Sequence, residues 1–111
     1  MIKNHVREKL DRGEKVVGTF FHTGSGLAMD AIGLSGMDYV IIDGEHSPIA
    51  IETAGDMIRA AEAHDLTAFV RVKEISRSSI LKPLDLGAKG LIVPQVGGLA
   101  DAKQLVEWAK Y

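Results

Sequence analysis

Val40-Ile41-Ile42-Asp43-Gly44-Glu45-His46-Ser47-Pro48 is the stretch on which the fold turns. Its continuous β-branched opening predicts a strand buried on both faces, as in parallel sheets covered by helices. Asp43, Glu45 and His46 then arrive together at the strand's C-terminal end. Ser47-Pro48 predicts a helix start, with serine as N-cap and proline in the first helical position. Strand ends of this kind are where parallel α/β folds place their chemistry, although such a cluster can also be a solvated loop leading into a helix.

Outward from this stretch the pattern repeats. Ile2 to Glu14 predicts a short covering helix closed by Gly13, and Lys15 to His22 a first strand ending at Thr23-Gly24-Ser25-Gly26. Helices are expected over Leu27–Leu34, Pro48–His64, Ser78–Leu86 and Leu99–Lys110, and further strands over Ala68–Lys73 and Leu91–Pro94. Strands alternating with helices at this spacing predict right-handed βαβ units and a parallel sheet. Two α/β architectures fit: an open doubly wound sheet, or the N-terminal half of a (β/α)8 barrel, whose full length is about 250 residues.

With 46% hydrophobic and 25% charged residues, the 111-residue chain can build one domain with a core. Thirteen basic against fifteen acidic side chains leave no positive field for nucleic acid or an anionic membrane surface. The absence of cysteine excludes disulfides, thiolate ligands and a cysteine nucleophile. No signal-peptide core or membrane-span-length apolar run is present, so a cytoplasmic location is expected.

Arg71 lies between Val70 and Val72 and points opposite to both. A guanidinium in a buried strand needs an anion, either a nearby Asp or Glu or a substrate carboxylate held by two parallel hydrogen bonds. His46, beside carboxylates at a strand end, is the candidate general base. His22 could line the same mouth or be a plain loop histidine. Asp85 could be a solvated helix residue, and Lys73 either a Schiff-base lysine or a solvated strand end. Thr23-Gly24-Ser25-Gly26 could bind phosphate, though the full glycine-rich fingerprint is absent.

Gly18-Thr19-Phe20, Ile41-Ile42-Asp43-Gly44-Glu45-His46, Val70-Arg71-Val72 and Leu91-Ile92-Val93-Pro94, in that order, resemble the HpcH/HpaI aldolase family over nearly the whole chain. The resemblance implies a (β/α)8 TIM-barrel carbon-carbon lyase that uses a divalent metal (Mg, Mn or Co), without a Schiff base. Such an enzyme makes or cleaves 4-hydroxy-2-oxo acids from pyruvate and an aldehyde. It further implies His46 as base with Asp85 as its acidic partner, Arg71 holding the pyruvate oxygens and the enolate charge, and Asp43 and Glu45 shaping the substrate site. The family's metal ligands would lie beyond Tyr111. Residues 1–111 are thus expected to be one aldolase-like domain truncated after its fourth βα unit. The fragment is expected to be inactive, and the enzyme a homo-oligomer. The inward faces of Val16, Phe20, Ile41, Val70 and Val93 would be left partly uncovered. The alternative is a free-standing open α/β domain that binds a small anion without catalysis.

Overall fold

The computed structural model describes residues 4–110. In chain order it contains α1 (His5–Asp11), β1 (Gly18–Phe21), α2 (Gly26–Leu34), β2 (Tyr39–Asp43), α3 (Ile51–Glu62), β3 (Thr67–Arg71), α4 (Arg77–Asp85), β4 (Gly90–Ile92) and α5 (Leu99–Ala109). The expected covering helix is present as α1, but its expected beginning at Ile2 lies outside the described residues. Among the described residues no helix is long and apolar enough to cross a membrane.

All strand pairings are parallel and the spatial order follows the sequence, β1-β2-β3-β4. Side chains of one strand alternate between two faces, so the register assigns each residue to a side. Phe21, Ile42, Val70 and Leu91 share one face. They pack in a single core with Met29 of α2, Met57, Ile58 and Ala61 of α3, Ile80 of α4 and, more loosely, Leu105 and Trp108 of α5. Phe20, Ile41, Phe69, Asp43, Arg71 and Ile92 belong to the opposite face, where no helix packs among the described residues.

This one-sided cover decides between the two expected architectures. A doubly wound sheet reverses strand order and carries helices on both faces. Here the order never reverses and α2 to α5 lie on one side, which is the arrangement of successive βα units in a barrel. The side without helices corresponds to a barrel interior. The register also corrects two expectations: Val70, 3% exposed, and Val93 face the helices, and the uncovered face instead includes Phe69 and Ile92.

α1 crosses the end at which the strands start. Lys9 Nζ is 2.7 Å from Asp38 Oδ1, and Asp38 Oδ2 accepts the Val17 N–H at 2.9 Å just before β1. Those two bonds, the lysine's foremost, hold the Asp38 carboxyl below its ordinary range. Gly87, at φ +109°, ends α4 in the left-handed conformation that glycine adopts without Cβ strain.

The expected helix start at Ser47-Pro48 is displaced. α3 begins at Ile51, and Ala50 at its N-cap makes no side-chain hydrogen bond. Ser47 lies four residues before that start, where its hydroxyl donates to the Asp43 carbonyl and accepts from the Ile49 N–H at 3.5 Å. Residues 44–50 therefore form a loop wrapped around the end of β2, and that loop carries the site.

Candidate functional site

The site is built on one rung of the sheet. Asp43, the last residue of β2, pairs with Arg71, the last of β3, and both side chains emerge on the face without helices. Asp43 has no exposed surface. A carboxylate there needs its lone pairs occupied, since an unpaired buried charge is costly. Arg71 donates from Nε to Oδ1 at 3.1 Å and from Nη2 to Oδ2 at 2.6 Å, the two-pronged geometry suited to a guanidinium. Backbone N–H groups of Glu45 and His46 donate to Oδ1 at 2.9 and 3.0 Å. His22 Nε2 completes the set, 2.9 Å from Oδ2. The Arg71 bonds, helped by the two backbone donors, hold the Asp43 carboxyl well below the usual carboxylate range against the opposing effect of burial. Reciprocally, Asp43 raises the Arg71 guanidinium.

Arg71 is fixed from a second side by Phe20, whose ring centroid lies 4.7 Å from the guanidinium carbon. The same ring stacks on His22 at 5.9 Å with an interplanar angle of 18°. Phe20, His22, Asp43 and Arg71 thus form one contiguous unit drawn from β1, β2 and β3. The ion pair engages Nε and Nη2 of Arg71, leaving Nη1 outside it. Of the two readings of Arg71, the protein ion pair is therefore present, and the side chain is 21% exposed.

The Gly44–Ser47 turn adds a second imidazole and carboxylate. Glu45 Oε1 lies 3.1 Å from His46 Nε2 and 3.4 Å from Arg71 Nε. Glu45 is largely buried while the His46 side chain is 66% exposed, so the carboxylate anchors a ring that faces outward. Gly44 makes the turn possible by close approach. Its N–H bonds the Arg71 carbonyl at 2.8 Å, and a Cβ built on Gly44 would stand 2.8 Å from that oxygen.

Of the residues expected from the sequence, the structure brings together Asp43, Glu45, His46 and Arg71. Asp85 is not among them. It is the last residue of α4 and lines a cavity with Leu66 and Thr67 at the start of β3 and Gly87 and Lys89 before β4. Helices in βα units run antiparallel to the strands, so a helix C-terminus falls at the strand starts, opposite His46. The expected Asp85–His46 partnership is thus not formed within the chain; the carboxylate beside His46 is that of Glu45.

His22, which the sequence leaves open as a loop histidine, is a direct neighbour of Asp43. The available signal was its i, i+2 relation to Phe20 at a strand end, which puts both on one face. Lys73 lines a cavity of about 280 Å³ with Ile42, Val70 and Val72, whose side chains belong to the helix side of the sheet. The Thr23–Gly26 loop uses its hydroxyls internally: Thr23 Oγ1 accepts from Ser25 N, and Ser25 Oγ caps α2 through Ala28 N, each at 3.2 Å. Among the described residues no group of three or more His, Cys, Asp or Glu side chains is placed to hold a metal ion. What the arrangement offers chemically is a fixed cation for a developing negative charge, flanked by two imidazoles that can exchange protons.

Comparison with known proteins agrees with this picture. The model of the HpcH/HpaI aldolase/citrate lyase family matches residues 17–111. A 2-keto-3-deoxy-L-rhamnonate aldolase from Escherichia coli O17:K52:H18 is 30% identical over all 111 residues, and the chain spans 42% of that relative's length. Among solved structures, an HpcH/HpaI aldolase from Desulfitobacterium hafniense DCB-2 superposes with a TM-score of 0.89 at 27% identity, over 96% of this chain and 41% of that one. A variant of the citrate synthase SbnG superposes with a TM-score of 0.86 at 38% identity, over 96% of this chain and 45% of that one.

Proposed function

The chain belongs to the HpcH/HpaI aldolase/citrate lyase family, and we propose that it supplies the first four βα units of a pyruvate aldolase that cleaves or forms 4-hydroxy-2-oxo acids. The observation that carries this reading is the Asp43–Arg71 pair on the uncovered face, which leaves Nη1 of a rigidly held guanidinium open beside two imidazoles. Cleaving such an acid generates the enolate of pyruvate. A cation already oriented by Asp43 and Phe20 stabilises that charge without reorganising during the reaction. His46, held through Glu45, exchanges the proton at the pyruvate methyl.

The divalent ion (Mg, Mn or Co) that goes with this proposal does not fit a complete site in the described residues. Its ligands would come from outside them. The chain's 42% share of its relatives' length supports reading it as one part of such a barrel.

A second reading is favoured by one observation: the chain is more similar in sequence to the SbnG citrate synthase variant, at 38%, than to the rhamnonate aldolase, at 30%. Citrate is a tertiary alcohol of the kind formed when an enolate adds to a 2-oxo acid, so the same guanidinium would serve. The test is to supply pyruvate in deuterated water to the polypeptide that carries this chain, and separately to assay pyruvate release from 4-hydroxy-2-oxo acids. Deuterium entry at the methyl and release of pyruvate, both abolished by a chelator and restored by Mg, Mn or Co, are expected. Formation of citrate when oxaloacetate and an acetyl thioester are supplied instead, with no pyruvate exchange, would favour the second reading. Borohydride trapping of pyruvate on Lys73 would overturn the metal-dependent one.

A further inference from the structure

The mouth of the sheet holds two imidazole–carboxylate pairs, and the function proposed above uses only one. His46 Nε2 meets Glu45 Oε1 at 3.1 Å, and His22 Nε2 meets Asp43 Oδ2 at 2.9 Å. Arg71 touches both carboxylates. Asp43 has no exposed surface and is tied to the guanidinium, so it is an ionised carboxylate that only accepts hydrogen bonds. The His22 nitrogen facing it therefore carries the hydrogen, and in the neutral imidazole Nδ1 then holds the lone pair. Stacking on Phe20 fixes the plane of the ring, and the side chain is 52% exposed. An imidazole with one nitrogen pinned by a buried carboxylate and the other open is oriented as a base.

Cleavage of a 4-hydroxy-2-oxo acid moves protons at two different atoms. The C4 hydroxyl gives up its proton and its O–H electron pair becomes the new carbonyl π bond. The C3–C4 pair forms the C2–C3 double bond, and the C2 carbonyl pair moves onto oxygen as the enolate. C3 then takes a proton to give pyruvate. With His46 serving C3, a second group is needed at the C4 oxygen. We propose that His22, oriented by Asp43, accepts the C4 hydroxyl proton in cleavage and returns it in condensation. This inference rests on the aldolase reading.

The test is His22→Gln in the polypeptide that carries this chain. Glutamine keeps an N–H donor within reach of Asp43 but cannot take up a proton. Deuterium exchange at the pyruvate methyl should stay within about twofold of the parent, while the rate of cleavage falls about 100-fold or more. Cleavage within about threefold of the parent, or equal losses in both reactions, would overturn the proposal and leave His22 a support for Asp43. Imidazole nitrogen NMR of the unsubstituted protein tests the geometry without any variant: hydrogen on Nε2 of His22 is expected, and hydrogen on Nδ1 alone overturns it. A protein that neither exchanges nor cleaves overturns the aldolase reading and this inference with it, whereas normal cleavage by His22→Gln overturns the inference alone.

Discussion

Asp43 and Arg71 stand on the same rung of adjacent parallel strands, and the carboxylate of one receives two hydrogen bonds, 3.1 and 2.6 Å long, from the guanidinium of the other. The pair joins the fold to its chemistry. It closes the β2–β3 ladder on the uncovered face, and it orients the cation that the proposed reaction requires.

Replacing Asp43 by asparagine keeps the shape and removes the charge. Arg71 then faces a neutral partner and the backbone N–H groups of Glu45 and His46 lose a charged acceptor. A stability loss of about 2 kcal/mol is expected from these weakened charge-assisted bonds, read by urea denaturation at neutral pH.

The same carboxylate sets an acid limit on stability. Arg71 chiefly, with two backbone donors, keeps the folded-state Asp43 ionised to unusually low pH, while in the unfolded chain it titrates near the usual value of about 4. Its contribution is therefore fully present above about pH 4 and is lost as pH falls from there through the lower folded value. Denaturation midpoints should fall between pH 4 and pH 2.5 in the parent. Asp43→Asn should flatten that dependence, leaving the smaller share due to Asp38, whose carboxyl is lowered by Lys9. An unchanged slope would mean that Asp43 is not ionised by this pairing.

Arg71→Lys retains a cation and loses the fork. Because the fork is already engaged by Asp43, both stability and pyruvate handling should decline: a melting temperature lower by a few degrees, and a kcat/KM for pyruvate formation reduced at least about 30-fold. His46→Ala behaves differently, since its ring is mostly exposed. Methyl-proton exchange should drop by about 100-fold, with the melting temperature unchanged. A variant that lost stability and activity together would make His46 a structural residue.

Gly44→Ala tests close approach. The added methyl would meet the Arg71 carbonyl at 2.8 Å, so the β2 and β3 ends must separate. The Asp43–Arg71 bonds open with them. Loss of activity comparable to that of Arg71→Lys is expected, with the loop amide protons of Glu45 and His46 exchanging faster by NMR.

The 111-residue chain by itself should associate. Among the described residues β1 and β4 each pair on one side only, and Phe20 on the uncovered face is 43% exposed. Unpaired edges and an open apolar face favour contact with another copy. Light scattering after size exclusion should report dimers or larger species, or thermal melting should be uncooperative, with no aldolase activity in either case. A monodisperse monomer with a sharp melt would show that the four-strand unit is self-sufficient.

Much of this was legible in the residues. The alternation of β-branched runs with amphipathic segments located every strand and helix of the described residues, and Gly13 marked the end of the first helix, where the backbone turns left-handed. Asp43, Glu45, His46 and Arg71 could be picked out because ionisable groups at strand ends break an apolar pattern. The helix begins later than Ser47-Pro48 suggests, because the Ser47 hydroxyl bonds locally to the Asp43 carbonyl and the Ile49 N–H within a loop around the end of β2. Asp85, expected beside His46 by resemblance, ends α4 and lines cavities with Leu66, Thr67 and Lys89 and with Ile51 and Glu52.

The sequence by itself determined the order of elements, the parallel sheet and the position of the ionisable turn, because each depends on local periodicity and short-range turn chemistry. Only the tertiary structure decided on which face the helices lie and that His22 joins Asp43 across two strands. Those outcomes depend on register and on contacts between residues about twenty or more positions apart, such as His22 with Asp43 and Asp43 with Arg71. No local pattern encodes such distances; they arise when the strands align and a buried carboxylate must find donors for its lone pairs.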